Sequence, residues 1–348
     1  MSLAPKTVVL DAIEQGAFPG ASWAYGTLDY MEVGAAGRYT QAADSKEVAA
    51  DTVYDLASVT KVVATTSVAM LLSQMEELDI ELPVQHYLPE FAHPDVTVLN
   101  LLLHNSGLAP HVELWKQFET RQDAWKGLME LPLIYPTGTE TQYSCMGFIV
   151  LSMILERLMN GHQPVADTLK EFEIFAELSI FTRLNMGHTT FRPGPFTRRS
   201  VPPTEINERG EVQGVVHDEN AWFLGGVSGN AGLFGSAVDL AKFAQCLLRG
   251  GDGIFREDHV RVWTQRESDQ SSRALGWDTP SPSSSAGTEF GPNSFGHTGF
   301  TGTSIWIDPE AQMFSVLLSN RTYPSRSNDK HIAVRPEFQN SVARFIRA

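Results

Sequence analysis

Cysteine is nearly absent from this 348-residue chain, which holds only Cys145 and Cys246. Two thiols make no disulfide framework, and no CxxC pair is present to hold zinc. Such usage suits a reducing compartment. Long apolar runs are also missing: stretches such as 148–155 fall far short of the ~20 residues that cross a bilayer. No charged segment followed by an apolar one opens the chain. As written, the expectation is a soluble, cytoplasmic protein with no membrane span, or an exported one if a leader was removed ahead of Met1-Ser2-Leu3. Basic residues are scarce: 26 Lys and Arg stand against 41 Asp and Glu, for a net charge of −15. With the basic residues scattered, no patch is expected to neutralise a phosphate backbone, so nucleic acid is excluded as a partner.

What remains is globular. Apolar residues make up 42% and charged residues 19%, near the norm for folded domains and unlike a disordered chain. The length allows one large domain or two interleaved ones.

The two ends resemble each other. Residues 7–15 carry apolar side chains at helical spacing until Phe18-Pro19-Gly20 stops them. Residues 21–25 and 31–35 follow as short strands. Near the other end, 304–307 and 313–319 are strands separated by Asp308-Pro309-Glu310, a turn sequence. Phe338, Val342, Phe345 and Ile346 then recur at helical spacing. This predicts one antiparallel sheet assembled from both termini and flanked by helices. Residues from about 80 to 240 are helix-like segments broken by Pro and Gly, and 238–248 is an amphipathic run. The expected architecture is α/β (α+β): an α/β domain from 1–80 and 240–348, a mostly helical domain from 81–239, and an active site between them. Residues 279–287, rich in Pro, Ser and Gly, are expected to form a mobile surface loop.

Ser58-Val59-Thr60-Lys61 is the first element with chemical content. A serine hydroxyl needs a neighbour to take its proton. On a helix Lys61 lies one turn from Ser58, and a desolvated amine can serve as that base. The helix start also offers backbone N–H groups to an oxyanion. Ser-x-x-Lys alone recurs by chance about once in a chain this long, and its β-branched neighbours favour strand. Yet residues 62–72 carry no charge at all, so Lys61 does not head a solvated face.

Two more elements follow in order, Tyr143-Ser144-Cys145 and His297-Thr298-Gly299. With them the chain resembles the serine β-lactamase and penicillin-binding-protein superfamily, in its class C and DD-peptidase-like branch. The resemblance extends through 51–61, through Leu101-Leu102-Leu103-His104-Asn105-Ser106-Gly107-Leu108, and through Leu184-Asn185-Met186 with Thr189. Residues 216–221, 231–234 and 296–303, and Asn320-Arg321, are similar to cell-wall-related hydrolases that include N-acetylmuramyl-alanine amidases. The resemblance implies a β-lactamase/transpeptidase-like fold. It also implies Ser58 as nucleophile, Lys61 as base and Tyr143 as proton relay. The N–H groups of Ser58 and Phe300 would form the oxyanion hole, while His297, Thr298 and Gly299 line the substrate edge. No cofactor or metal is implied.

Two departures bear on substrate. Cys145 stands where Asn is commoner and offers only a weak donor. His297 stands where β-lactamases usually carry lysine, and an unperturbed histidine is mostly neutral at pH 7. Both lean toward ester or amide hydrolysis without a strict carboxylate requirement, and predict a His297-dependent limb between about pH 5.5 and 7.5. The expected enzyme is therefore a serine hydrolase acting through an acyl-enzyme on a small ester or amide, or a muropeptide-like fragment, as a monomer or weak homo-oligomer. The alternatives are a β-lactamase or D-alanyl-D-alanine carboxypeptidase and, in another class, a non-catalytic ligand-binding protein that keeps the fold. His217-Asp218-Glu219 reads as a polar loop near the cleft rather than a metal site. His104 is expected to satisfy loop carbonyls. Cys145, with no cationic partner evident, is expected to be structural. Asn230 takes a place where relatives often carry His. Trp115, Trp125 and Trp222 are candidates for a cleft wall or for core.

Overall fold

The computed structural model describes residues 4–165 and 167–348. Its main sheet has five strands: β1 (Gly20–Thr27), β2 (Met31–Gly37), β3 (Phe295–Gly299), β4 (Thr303–Asp308) and β5 (Met313–Ser319). Their order is β2-β1-β5-β4-β3, every pairing antiparallel. The join between the two ends of the chain is β1 against β5, with Trp23 opposite Leu317 and Ala24 opposite Val316. Successive side chains of a strand point to opposite faces. Ala21, Trp23, Tyr25 and Leu317 accordingly pack with Val9, Phe338 and Val342, which lie on helices α1 (Pro5–Glu14) and α5 (His331–Arg347). Ala24, Val316 and Leu318 face the other way, into the main core.

That core runs without a break into the middle of the chain. It holds Leu240 and Phe243 of α4 (Ala237–Leu248), together with Phe148, Ile149 and Leu155 of α3 (Cys145–Met159). Helix α3 is apolar on nearly every side, the pattern of a helix packed all round, and its residues from Met146 to Glu156 are all buried. The β-branched run after Ser58 favours strand in isolation, yet Val62, Val63 and Val68 are fully buried in a helical stretch. Tertiary burial has overridden local preference. The mixed helical and antiparallel architecture is the expected fold class.

Residues 279–287 are more anchored than their composition implies. Thr279 and Ala286 are buried; Thr279 accepts from Arg266, and Ser285 accepts from the Trp306 indole. Among the described residues no helix is long and apolar enough to cross a membrane.

Candidate active site

A two-residue strand, Tyr54–Asp55, pairs with Leu233–Gly235 and delivers the chain to the nucleophile turn. Ala57 has φ of 46°, the left-handed region that costs a residue with a Cβ. A 3₁₀ turn over Ala57–Val59 follows, then a π-helical stretch Lys61–Thr66 and helix α2 (Ser67–Gln74). Ser58 and Lys61 therefore meet across a tightened turn rather than a regular α-helix, and 3₁₀ geometry brings i and i+3 into register.

Asp55 holds this turn from beneath. Its fully buried carboxylate accepts from the Ala57 N–H at 2.8 Å and from the His217 N–H at 2.6 Å. Burial raises its pKa to about 6, against the opposing pull of these two amides. Its carbonyl accepts from the Thr301 hydroxyl, and the Leu56 carbonyl from Thr303. One short segment thus ties the nucleophile to the His217 loop and to the turn after β3.

Lys61 is fully buried. Its ammonium donates to Ser58 Oγ at 3.2 Å, to Cys145 Sγ at 3.6 Å and to the Asn230 carbonyl at 2.9 Å. The Tyr143 ring centroid lies 4.9 Å from Nζ. Cys145 therefore has a cationic neighbour, contrary to expectation. Its thiol is nonetheless pushed up, chiefly by burial, with Lys61 opposing. Burial likewise raises Tyr143, again against Lys61. On Lys61 itself burial is the largest influence and disfavours charge. Cys145 and Tyr143 outweigh it as they ionise, so the ammonium is held above its ordinary value.

Tyr143 sits just ahead of α3, whose first turn is capped by Ser144. His104, with φ of 58°, stacks on Phe148 and lies beside Tyr143. Its Nδ1 accepts the Ser144 N–H at 3.0 Å, so it meets an amide there and not the carbonyl expected of it.

Strand β3 supplies the opposite edge. A Cβ on Gly299 would lie 2.0 Å from Thr303 Oγ1 and 2.4 Å from the Leu56 carbonyl. Glycine is required there by the nucleophile turn packing against β3, a reason different from ligand approach. Thr298 is half-buried and Phe300 exposed, both on the cleft wall. His297 is buried, with Nδ1 2.8 Å from the Thr298 carbonyl. Burial above all, then Lys61 and Arg273, lowers its pKa well below 6.5. The expected limb between pH 5.5 and 7.5 therefore does not belong to this imidazole.

Ser58, Tyr143, Cys145 and the residues 297–300 border an open cleft of about 820 Å³. Its far wall is heavily charged. Arg326 bridges Glu205 at 2.5 Å and Glu219 at 2.6 Å, while Arg321 lies 4.4 Å from the Phe300 ring centroid. His217, Asp218 and Glu219 do border the cleft, but their groups are divided. The first gives its N–H to Asp55, the second caps the helix Glu219–Phe223, and the third binds Arg326. Of the tryptophans, Trp115 borders the cleft, Trp125 is core, and Trp222 lines a separate depression. Arg273, Arg326 and Arg335 border the cleft too, and no local pattern singled them out. Asn230 contributes its carbonyl to Lys61; why its side chain replaces the commoner His has no explanation in the structure.

A Beta-lactamase family model matches residues 7–337. The chain belongs to that family. An N-acetylmuramyl-L-alanine amidase of Bacillus subtilis is 31% identical over 312 residues, covering 78% of this chain and 68% of the relative. A Salmonella agona protein with the provisional name D-alanyl-D-alanine carboxypeptidase is 30% identical over 320 residues, covering 80% and 72%. Among solved structures, EstCE1, described as a hydrolase with promiscuous acyltransferase activity, superimposes with a TM-score of 0.77 over 97% of each chain at 18% identity. A class C β-lactamase does so at 0.75, over 97% and 96% of the chains and also at 18% identity. The chain is thus a serine hydrolase of the β-lactamase fold.

Proposed function

We propose that this enzyme cleaves a small ester or amide through an acyl-enzyme on Ser58, with peptidoglycan fragments within its substrate range. Ser58 Oγ attacks the carbonyl carbon, and its proton passes to the Lys61–Tyr143 pair in the form that has already released one proton to solvent, which leaves the amine or the phenolate free to accept it. The N–H groups of Ser58 and Phe300 receive the oxyanion. As the carbon–heteroatom bond breaks, the same unit returns the proton to the leaving alcohol or amine. Water then attacks the acyl ester by the reverse path and frees Ser58. Thr298 and His297 line the edge along which substrate lies, and Cys145 packs against the amine. The observation that carries this reading is a fully buried ammonium 3.2 Å from Ser58 Oγ whose other hydrogen-bond acceptors are a thiol and a carbonyl.

A second reading, β-lactamase or carboxypeptidase, is favoured by Arg273. Its guanidinium lies 5.3 Å from the Tyr143 ring centroid, with one loose ion pair, 3.7 Å to Asp278, and is disposed to meet a substrate carboxylate. Intact mass after exposure to a fluorophosphonate, a chromogenic ester and a cephalosporin separates the readings, with Ser58→Ala alongside. Ester turnover without cephalosporin turnover is expected. Rapid cephalosporin turnover moves the assignment to the second reading. No Ser58-dependent adduct from any probe leaves a binding protein that keeps the fold.

A further inference from the structure

Arg335, on α5, is far in sequence from every motif that describes the site. Its Nη2 donates to the carbonyls of Gly299 and, at 3.1 Å, of Thr303. Its Nε is buried with no partner among the described residues. No carboxylate pairs with it among those residues, so a half-buried guanidinium on the cleft wall is held by two neutral carbonyls. A partly desolvated charge with no counter-charge is costly unless something later answers it.

The identity of the accepting carbonyl matters. Gly299 C=O and Phe300 N–H are the two ends of one peptide group. Amide resonance couples them: a cation on the oxygen draws density from nitrogen and makes its N–H a stronger donor. We propose that Arg335 is a positioning residue for the oxyanion hole, polarising the Gly299–Phe300 peptide so that the Phe300 N–H binds negative charge more strongly. The charge missing around Arg335 is the one that develops on the substrate oxygen during attack. Arg321 donates to the Phe300 carbonyl at 2.8 Å, which belongs to the next peptide; it fixes the turn without acting on that N–H. Burial, and then Arg321, pull the Arg335 pKa down to about 9, which leaves it charged at neutral pH.

This inference rests on the reading of Phe300 as an oxyanion donor. The test measures the rate at which a fluorophosphonate modifies Ser58, by intact mass, and the inhibition constant of phenylboronic acid, whose tetrahedral adduct presents an oxygen to the same donors. Arg335→Gln keeps a donor and loses the charge. It should slow phosphonylation by about 10-fold and weaken the boronate equally, less than the ~10²–10³-fold that follows loss of a direct oxyanion donor. KM for a chromogenic ester and the Tm should barely move. Arg335→Lys should stay within about threefold of the parent, since a cation on the carbonyl is what counts. A folded Arg335→Gln enzyme within twofold of the parent in both measurements overturns the proposal, as does a KM or Tm change that accounts for the whole loss. Should the Gln variant fail to fold, a tenfold loss in folded Arg335→Lys overturns it too. If wild type itself takes no adduct at Ser58, the functional reading falls first; an active wild type with unaffected Arg335 variants sinks only this inference.

Discussion

Lys61, buried behind Ser58, and Arg326, on the cleft wall, are two cations of one site held in opposite ways. Arg326 is 41% exposed at its side chain and bridges two carboxylates; those hydrogen bonds, against its burial, raise its pKa. Lys61 is wholly buried, with a hydroxyl, a thiol and a carbonyl as its partners. A doubly paired guanidinium has nowhere to send a proton. An amine whose neighbours are themselves weak acids can exchange one. The lesson is that charge pairing marks the structural cation, and lack of it marks the chemical one.

The comparison breaks most directly at Lys61. Lys61→Met keeps the length and removes the charge. Acylation of Ser58 should fall by about 10³-fold, within the range for losing a general base. Stability should hold or rise, because a buried cation without a carboxylate is replaced by an apolar chain of similar volume. Fluorophosphonate labelling rates beside thermal melts give both answers. A destabilised but near-active variant would assign Lys61 to the scaffold.

Glu205 sharpens the other half. Burial opposes its ionisation, yet Arg326 and Asn207 hold its pKa down to about 2. A carboxyl depressed in the fold contributes stability above its unfolded value near 4.5, and that share is lost as pH falls toward 2. Glu205→Gln should therefore cost about 1–3 kcal/mol at pH 7, discounted for the solvent around Arg326. The gap to wild type should narrow by pH 3, while ester turnover changes less than about threefold. Urea unfolding at the two pH values reads the first effect, and an unchanged gap at pH 3 would remove the ion pair as its cause.

The two cations also differed in legibility. Lys61 announces itself by spacing from Ser58 and by the uncharged run behind it, both local properties. Arg326 and Arg335 have neither, since each gains meaning from partners placed by the fold: Glu205 for one, the Gly299 carbonyl for the other. The two-ended sheet is legible because short apolar strand runs at both ends of the chain, 21–25 and 313–319, need a shared core. The positive φ of Ala57 was not, because nothing marks an alanine for that region until Asp55 grips its amide. Histidine protonation is hidden in the sequence for the same reason. The triplet His297-Thr298-Gly299 specifies a residue type, whereas its titration depends on burial supplied by distant segments.

His297 offers the smallest effect and the finest test. Its imidazole is buried beside Lys61 and Arg273, and burial first, then these cations, keeps it neutral through the physiological range. His297→Gln should lower ester turnover by no more than about fivefold, through lost packing against Tyr143, whose ring centroid is 5.9 Å away. The loss should be the same at pH 5.5 and pH 7.5, so the two rate profiles differ in height and not in shape. Any shared limb near pH 6 would then belong to another group, and Asp55, with its pKa raised to about 6 mainly by burial, is the carboxyl in range. Stability should behave differently from rate. A histidine depressed in the fold gains its proton more readily when unfolded, so wild type loses stability as pH drops below about 6.5. Gln at 297 cannot titrate and should soften that loss. A variant that flattens the rate profile while leaving the stability slope intact would return the titrating role to His297.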